Sequence, residues 1–224
     1  MPAPILDVWI SSRQGYDEML AWQIKSYQDV LNGQEGRLWL GEHPSTITLG
    51  RSSKEGHVLA SREELERQGI SLVAIDRGGD VTWHGPGQLV GYPILDLRHF
   101  KMDVHWYLRM LEETLIRALS DFGVASRRAE GRTGVWIDTP DGEAKIASIG
   151  VHVSRWITRH GFAMNVCNDP LGFSLINACG LGCRQISLSN ILGRTVTVEL
   201  AAEAVKSRFL EVFECEEKGH LTCV

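Results

Sequence analysis

The 224-residue sequence contains no uncharged apolar run approaching the ~18 residues that a bilayer-spanning helix needs. A helical membrane protein is therefore not expected. Positive charge is not in excess either: 23 Lys and Arg face 28 Asp and Glu, a formal net charge of -5, so no general basic field holds nucleic acid. Cysteine is sparse and odd in number, with Cys167, Cys179, Cys183, Cys215 and Cys223 all in the last third. That distribution is unlike a framework of paired bridges and fits a reducing, cytoplasmic compartment. Met1 to Asp7 has no basic leader and places an acid in its short apolar run, so no secretory signal is expected. Nucleotide motifs are missing as well. No Gly-Lys-Ser or Gly-Lys-Thr of a phosphate loop occurs, and Gly85-Pro86-Gly87 lacks the glycine spacing of a dinucleotide fingerprint. An enzyme of this kind takes an already activated substrate or runs a downhill step, as a hydrolase or acyl transferase does.

What is present is ordinary globular material: 43% hydrophobic and 23% charged residues. The length suits one domain over residues 1–224, with 1–213 as its core and 214–224 as an acidic tail. Apolar spacing predicts an amphipathic helix from Tyr16 to Leu31, closed by Asn32-Gly33. Ile5 to Ile10, Arg37 to Gly41, Thr46 to Leu49 and Ser71 to Asp76 read as strands. Ser61-Arg62-Glu63-Glu64 fits a capping box in which Glu64 reaches back to the helix start. Asp103 precedes the best helical stripe, Val104 to Phe122, and a last helix is expected over Glu199 to Phe213. Between them, Val135 to Val166 alternates like an antiparallel meander, with Cys167 following in its core.

The densest anomaly is Arg77-Gly78-Gly79-Asp80-Val81-Thr82-Trp83-His84-Gly85-Pro86-Gly87-Gln88, where glycines permit positive φ and close approach of another molecule. An elaborate turn between strands is the competing reading. Cys179 lies in Asn177-Ala178-Cys179-Gly180, inside a charge-free stretch from Pro170 to Cys183; it is either a nucleophile beside exposed amides or an inert buried thiol. Lys145 stands alone in the uncharged strand Ala144 to Gly150, facing solvent or buried with a role. Cys183 has no matching Cys or His pair at zinc-site spacing, so no metal is expected. Arg127, Arg128 and Arg132 form a local basic cluster, read as a solvated loop or a docking patch.

With the Arg77 to Gln88 segment, Lys145-Ile146-Ala147-Ser148-Ile149-Gly150 and Asn177-Ala178-Cys179-Gly180 in order along the chain, the sequence resembles the lipoyl(octanoyl) transferases of protein lipoylation. The resemblance implies an α/β fold of the α+β type, a mixed sheet flanked by helices as in the catalytic domain of biotin and lipoate protein ligases. It implies transfer of an octanoyl or lipoyl group from acyl carrier protein to a lysine of lipoyl domains. Those domains belong to 2-oxoacid dehydrogenase complexes and the glycine cleavage H protein. It assigns Cys179 as nucleophile and Lys145 as its catalytic partner. It assigns acyl binding to Arg77, Gly78, Gly79, Asp80, Val81, Thr82, Trp83 and His84, with Ser148, Ile149, Gly150, Gly161, Phe162 and Ala163. No ATP or metal cofactor, no nucleic acid and no membrane partner are implied. His84 is left between orienting a backbone group and serving as an alternative base. The competing readings are an ATP-dependent lipoate ligase-like enzyme and a non-catalytic acyl-binding module.

Overall fold

The computed structural model describes residues 2–177 and 183–219. In chain order the elements are β1 (Ile5–Ile10), α1 (Tyr16–Leu31), β2 (Gly36–Gly41), β3 (Thr46–Leu49), α2 (Arg62–Arg67), β4 (Ser71–Ala74), β5 (Val81–His84) and β6 (Gln88–Ile94). Then follow α3 (Val104–Asp121), β7 (Arg127–Ala129), β8 (Arg132–Thr139), β9 (Gly142–Ser154), β10 (Ile157–Asn165), α4 (Leu188–Leu192), α5 (Val198–Val212) and β11 (Glu216–Glu217). Eight strands form one sheet in the order β11-β1-β2-β6-β10-β9-β8-β7, parallel at the β11-β1-β2 end and antiparallel elsewhere. A second sheet of three strands, β4-β3-β5, stands beside it.

Each face of the large sheet is covered by different helices. On one face α3 presents Tyr107, Leu111, Leu115, Ala118 and Leu119, all fully buried, against Leu38, Leu89, Ile146 and Met164 and against Val205 and Phe209 of α5. Asp103 caps α3 by accepting from the Trp106 amide at 3.0 Å, and Thr197 caps α5 by accepting from Leu200 at 3.3 Å. On the other face α1 lays Met19 on Trp39, Val90, Tyr92 and Ala163. It stops at Gly33, whose φ of +91° no β-carbon tolerates well.

Several local expectations are corrected. Ser61 does cap α2 through the Glu64 amide at 3.2 Å, but the Glu64 carboxylate turns to Arg67 and Gln68 rather than back to the helix start. The strand from Ser71 ends at Ala74, leaving Asp76 to pair with side chains of β10. Cys167 is exposed, because the Gly87 carbonyl gathers the amides of Val166, Cys167 and Asn168 and turns the chain out of the sheet. The C-terminal segment is not a free tail through Lys218: the Glu216 amide donates to Pro4 at 3.0 Å and the Lys218 amide to Leu6 at 2.8 Å. Cys215 packs against the main core. No helix among the described residues is long and apolar enough to cross a membrane.

Candidate active site

The glycine-rich segment folds around a buried cation. Arg77 donates through Nη2 to the Thr48 carbonyl at 3.0 Å and hydroxyl at 2.9 Å, and through Nη1 to the Gly78 carbonyl at 3.1 Å. A β-carbon at Gly50 would stand 2.4 Å from the Gly79 carbonyl oxygen and 2.7 Å from Arg77 Nη1, so only glycine admits that packing. Gly78 ties the segment to β9 by donating to the Val151 carbonyl at 2.8 Å. Asp80 accepts from the Val81 amide at 2.7 Å and lies 2.8 Å from His57 Nδ1.

Between the two sheets lies a cavity of about 560 Å³. Its lining includes Arg77, Gly79, Asp80, Val81, Thr82 and His84 from the glycine segment, and Ser148, Ile149, Gly150, Gly161, Phe162 and Ala163 from β9 and β10. Ser148 pairs with Ala163 and Gly150 with Gly161 across the two strands, so four small side chains leave a smooth trough. Gly78 and Trp83 stand apart from this lining. The Trp83 indole packs instead on Phe173, with centroids 5.4 Å apart, in the core of the small sheet.

Lys145 also lines the cavity. Its Nζ stands 4.8 Å from the centroid of the Trp136 ring, and the Arg132 guanidinium lies 4.1 Å from the same centroid, so one indole carries both side chains. The Lys145 backbone is held as firmly: its amide donates to Arg184 at 2.8 Å and its carbonyl accepts from Ile186 at 3.1 Å. Gly134, with a φ of +124°, passes beneath the lysine, and its amide donates to Glu112 at 3.1 Å. Glu112 is fully buried within α3 and also takes Arg109 at 2.5 Å and Arg128 at 3.2 Å.

Cys179 falls outside the described residues, as does Cys223. The residues flanking the Cys179 segment are described. The Asn177 amide donates to the His57 carbonyl at 2.8 Å, and Gln185 bridges to Lys145 in parallel register. Cys183 lines the cavity near Lys145. The basic cluster of the sequence is fully engaged by acids: Arg127 pairs with Asp138 and Glu143, Arg128 with Glu112 and Glu113, and Arg132 with Glu143.

Histidines that look scattered in sequence converge here. His43 Nδ1 lies 2.8 Å from the Gln14 carbonyl and Nε2 lies 2.8 Å from the Tyr92 hydroxyl. A carbonyl only accepts, so Nδ1 carries the hydrogen and Nε2 takes the Tyr92 proton. Tyr92 in turn hydrogen-bonds Tyr16 on the cavity wall. Burial lowers the pKa of His43 to about 4 and that of His84 to about 3, keeping both neutral. Burial also lowers His160 to about 4, despite Asp76 at 2.7 Å, and pushes Tyr16 up to about 12. Sequence reasoning passed over Tyr16, His43, Tyr92, Trp136, Glu112 and His160, whose partners are distant along the chain. Among the described residues no group of three or more His, Cys, Asp or Glu side chains is arranged to hold a metal ion.

Comparison with known proteins bears on the chain as a whole. Residues 15–210 match the family profile of the lipoyl protein ligase A/B catalytic domain. An octanoyltransferase of Parabacteroides distasonis is 40% identical over 210 residues, covering 90% of this chain and 95% of that protein. One from Geobacter sulfurreducens is 48% identical over 196 residues, covering 87% and 79%. Among solved structures, a bipartite lipoate protein ligase from Thermoplasma acidophilum, studied with its E2 lipoyl domain, superposes with a TM-score of 0.73 at 17% identity, covering 98% and 87%. A lipoate-protein ligase A bound with ATP gives 0.74 at 16%, covering 98% and 89%. Biotin protein ligase from Aquifex aeolicus gives 0.52 at 12%, covering 96% and 70%. The structural matches establish the shared α/β fold, and with the profile and the two transferases they lead to one conclusion: the chain belongs to the lipoyl protein ligase A/B catalytic-domain family.

Proposed function

We propose that this chain is an octanoyltransferase, an acyltransferase of protein lipoylation. Its 40% and 48% identity to octanoyltransferases over most of the chain is the observation that carries the reading. The cavity supports it, because a trough of Ser148, Gly150, Gly161 and Ala163 with Lys145 at its lining suits an extended acyl chain presented to a polar reacting end. The donor is the octanoyl thioester on the phosphopantetheine thiol of acyl carrier protein, and the acceptor is a lysine amine of a lipoyl domain. Such domains occur in 2-oxoacid dehydrogenase complexes and in the glycine cleavage H protein. The enzyme works in the cytoplasm.

Two acyl transfers make up the reaction. Lys145 takes the proton of the Cys179 thiol, whose reference pKa is about 8.5, and the thiolate attacks the thioester carbonyl. The carbon–sulfur bond to the carrier breaks, the carrier thiol leaves with the proton that Lys145 took from Cys179, and octanoyl-Cys179 remains. The target amine then attacks that thioester, its proton passes to Lys145 and on to the departing sulfur, and the Cys179 thiol is regenerated as the amide forms. A thioester is traded for an amide, a downhill exchange that needs no ATP and no metal.

Incubation with octanoyl-carrier protein in the absence of ATP, followed by mass spectrometry, tests the proposal. An octanoyl adduct is expected on Cys179 and is lost in Cys179→Ala. No adduct without ATP, with transfer restored by ATP, would assign an ATP-dependent ligase; acyl binding without any turnover would assign a binding module.

A further inference from the structure

Beneath the cavity, four side chains join the glycine segment to the strand edge at Lys145. His84 Nδ1 lies 2.8 Å from Gln88 Oε1. Gln88 Nε2 donates to the Trp83 carbonyl at 3.2 Å and to Asn165 Oδ1 at 3.0 Å. Asn165 Oδ1 also accepts from Asn168 at 3.2 Å, while Asn165 Nδ2 donates to Gln185 Oε1 at 3.4 Å. Gln185 Nε2 closes the run on the Cys183 carbonyl at 3.5 Å.

The direction of this run is fixed by chemistry. The Trp83 carbonyl only accepts, so the Gln88 atom facing it is the amide nitrogen and the atom facing His84 is the oxygen. An amide oxygen also only accepts, so the hydrogen of neutral His84 sits on Nδ1 and Nε2 is bare. Every bond then points the same way, from His84 to Cys183, and aligned amide dipoles reinforce one another. The interior pair, Gln88 and Asn165, is 1% and 3% exposed, while the ends, His84 and Gln185, line the cavity. His84 itself is 7% exposed, and the side-chain hydrogen bond of its ring runs from Nδ1 to Gln88.

We propose that Gln88, Asn165 and Gln185 form an oriented amide relay that holds His84 as the Nδ1–H tautomer, so that its bare Nε2 receives an N–H of the attacking amine during acyl transfer. This rests on the acyl-transfer reading above. The octanoyl chain offers no hydrogen-bond donor, whereas the amine that must meet the acyl carbon has two N–H groups and one lone pair. With one N–H held by Nε2, the lone pair is free to point at the carbonyl, and the proton lost on attack goes to Lys145. His84 is suited to accept rather than to store a proton. Burial, His43 with its ring 6.0 Å away, Arg77 and His160 all disfavour its charged form; Gln88 alone favours it, and Tyr16 stacks on its ring at 6.1 Å.

Two measurements decide the proposal. Long-range ¹H–¹⁵N correlation on uniformly labelled wild-type enzyme, with His84 assigned by loss of its signals in His84→Asn, should show Nδ1–H and bare Nε2 from pH 8 to pH 5. An Nε2–H tautomer overturns the relay. The second uses Gln88→Glu, which still accepts from Nδ1 but puts a carboxylate beside it and donates to neither Trp83 nor Asn165, drawing a proton onto Nε2 near neutral pH. Single-turnover transfer of octanoyl from Cys179 to a lysine peptide should then lose at least tenfold more than wild type between pH 8.5 and pH 6. Acylation of Cys179 by an octanoyl thioester should lose less than threefold. Equal losses in both half-reactions, or a profile parallel to wild type, overturn the amine role. If wild-type enzyme forms no octanoyl-Cys179, the acyl-transfer reading falls and the amine role with it, while the tautomer still decides the relay.

Discussion

Gly134 and Gly142 stand in one hairpin, both with left-handed backbone, at φ +124° and +104°. They differ in what surrounds them. A β-carbon at Gly142 meets nothing within 4 Å, whereas one at Gly134 would be 2.6 Å from the Ala147 carbonyl oxygen and 3.1 Å from Lys145 Cε. Gly142→Ala should therefore cost only backbone strain, about 1–3 kcal/mol. Gly134→Ala adds over-packing against a strand, about 1–3 kcal/mol more. At roughly 2–4 °C per kcal/mol for a chain of this size, Gly134→Ala should melt about 2–12 °C below Gly142→Ala. Function separates the pair further, because the new methyl presses on the lysine. Measured well below both midpoints, Gly134→Ala should lose octanoyl transfer while Gly142→Ala keeps its rate. Equal melting temperatures would show that the contact with Ala147 is absent, and equal activities that Gly134 does not position Lys145.

Further outcomes are open to measurement. Trp136→Leu removes the ring shared by Lys145 and Arg132; a cation–π contact of about 0.5–2 kcal/mol corresponds to a loss of up to roughly 30-fold in kcat, and an unchanged kcat would discount the ring. Glu112→Ala orphans the buried Gly134 amide, so urea unfolding should show a loss of about 1–3 kcal/mol. Glu113→Ala, on the outer turn, should stay within about 1 kcal/mol. His43, His84 and His160 have folded-state pKa values of about 4, 3 and 4, below the ordinary 6.5, so the unfolded chain binds protons first. Their stabilisation is present above pH 6.5 and is lost as pH falls toward 4, at up to about 1.4 kcal/mol per pH unit for each. Urea midpoints should fall between pH 7 and pH 5, less steeply in His43→Gln; a flat profile contradicts the burial of these rings. Asp76, lowered to about 2 by His160 and Arg159 against its own desolvation, adds stability above pH 3.8 that is lost between pH 3.8 and 2. Cys183→Ser should retain the octanoyl adduct on Cys179, and loss equal to that in Cys179→Ala would move the nucleophile.

The elements were legible wherever one local rule decided them. The α3 stripe, its Asp103 cap and the β8-β9-β10 meander follow from spacing within a few residues of chain. The long-range pairings were not. Glu112 sits one residue beyond Leu111 and reads as the polar side of a core helix, yet Arg128 of β7 and the Gly134 amide of β8 close on it and make it a buried acceptor. His43 and Tyr92 are 49 residues apart and meet because β2 and β6 are neighbours in the large sheet, an adjacency no local pattern encodes. The acyl-binding segments were visible as glycine and small-residue clusters. What separated Gly78 and Trp83 from the others was which face of the segment turned toward β9 and which toward Phe173.

The outermost strands of the large sheet, β7 and β11, are three and two residues long. They carry Arg127 and Arg128 at one margin and Glu216 and Glu217 at the other. Unpaired strand edges are templates on which foreign backbone can polymerise, and short, charged margins deny such a template its length and its neutrality. Another chain thus finds little ladder to extend at either margin. Replacing Glu216 and Glu217 by valine would turn one margin into a neutral, β-favouring edge, and soluble aggregates on storage would be the sign that the two acids had been guarding it.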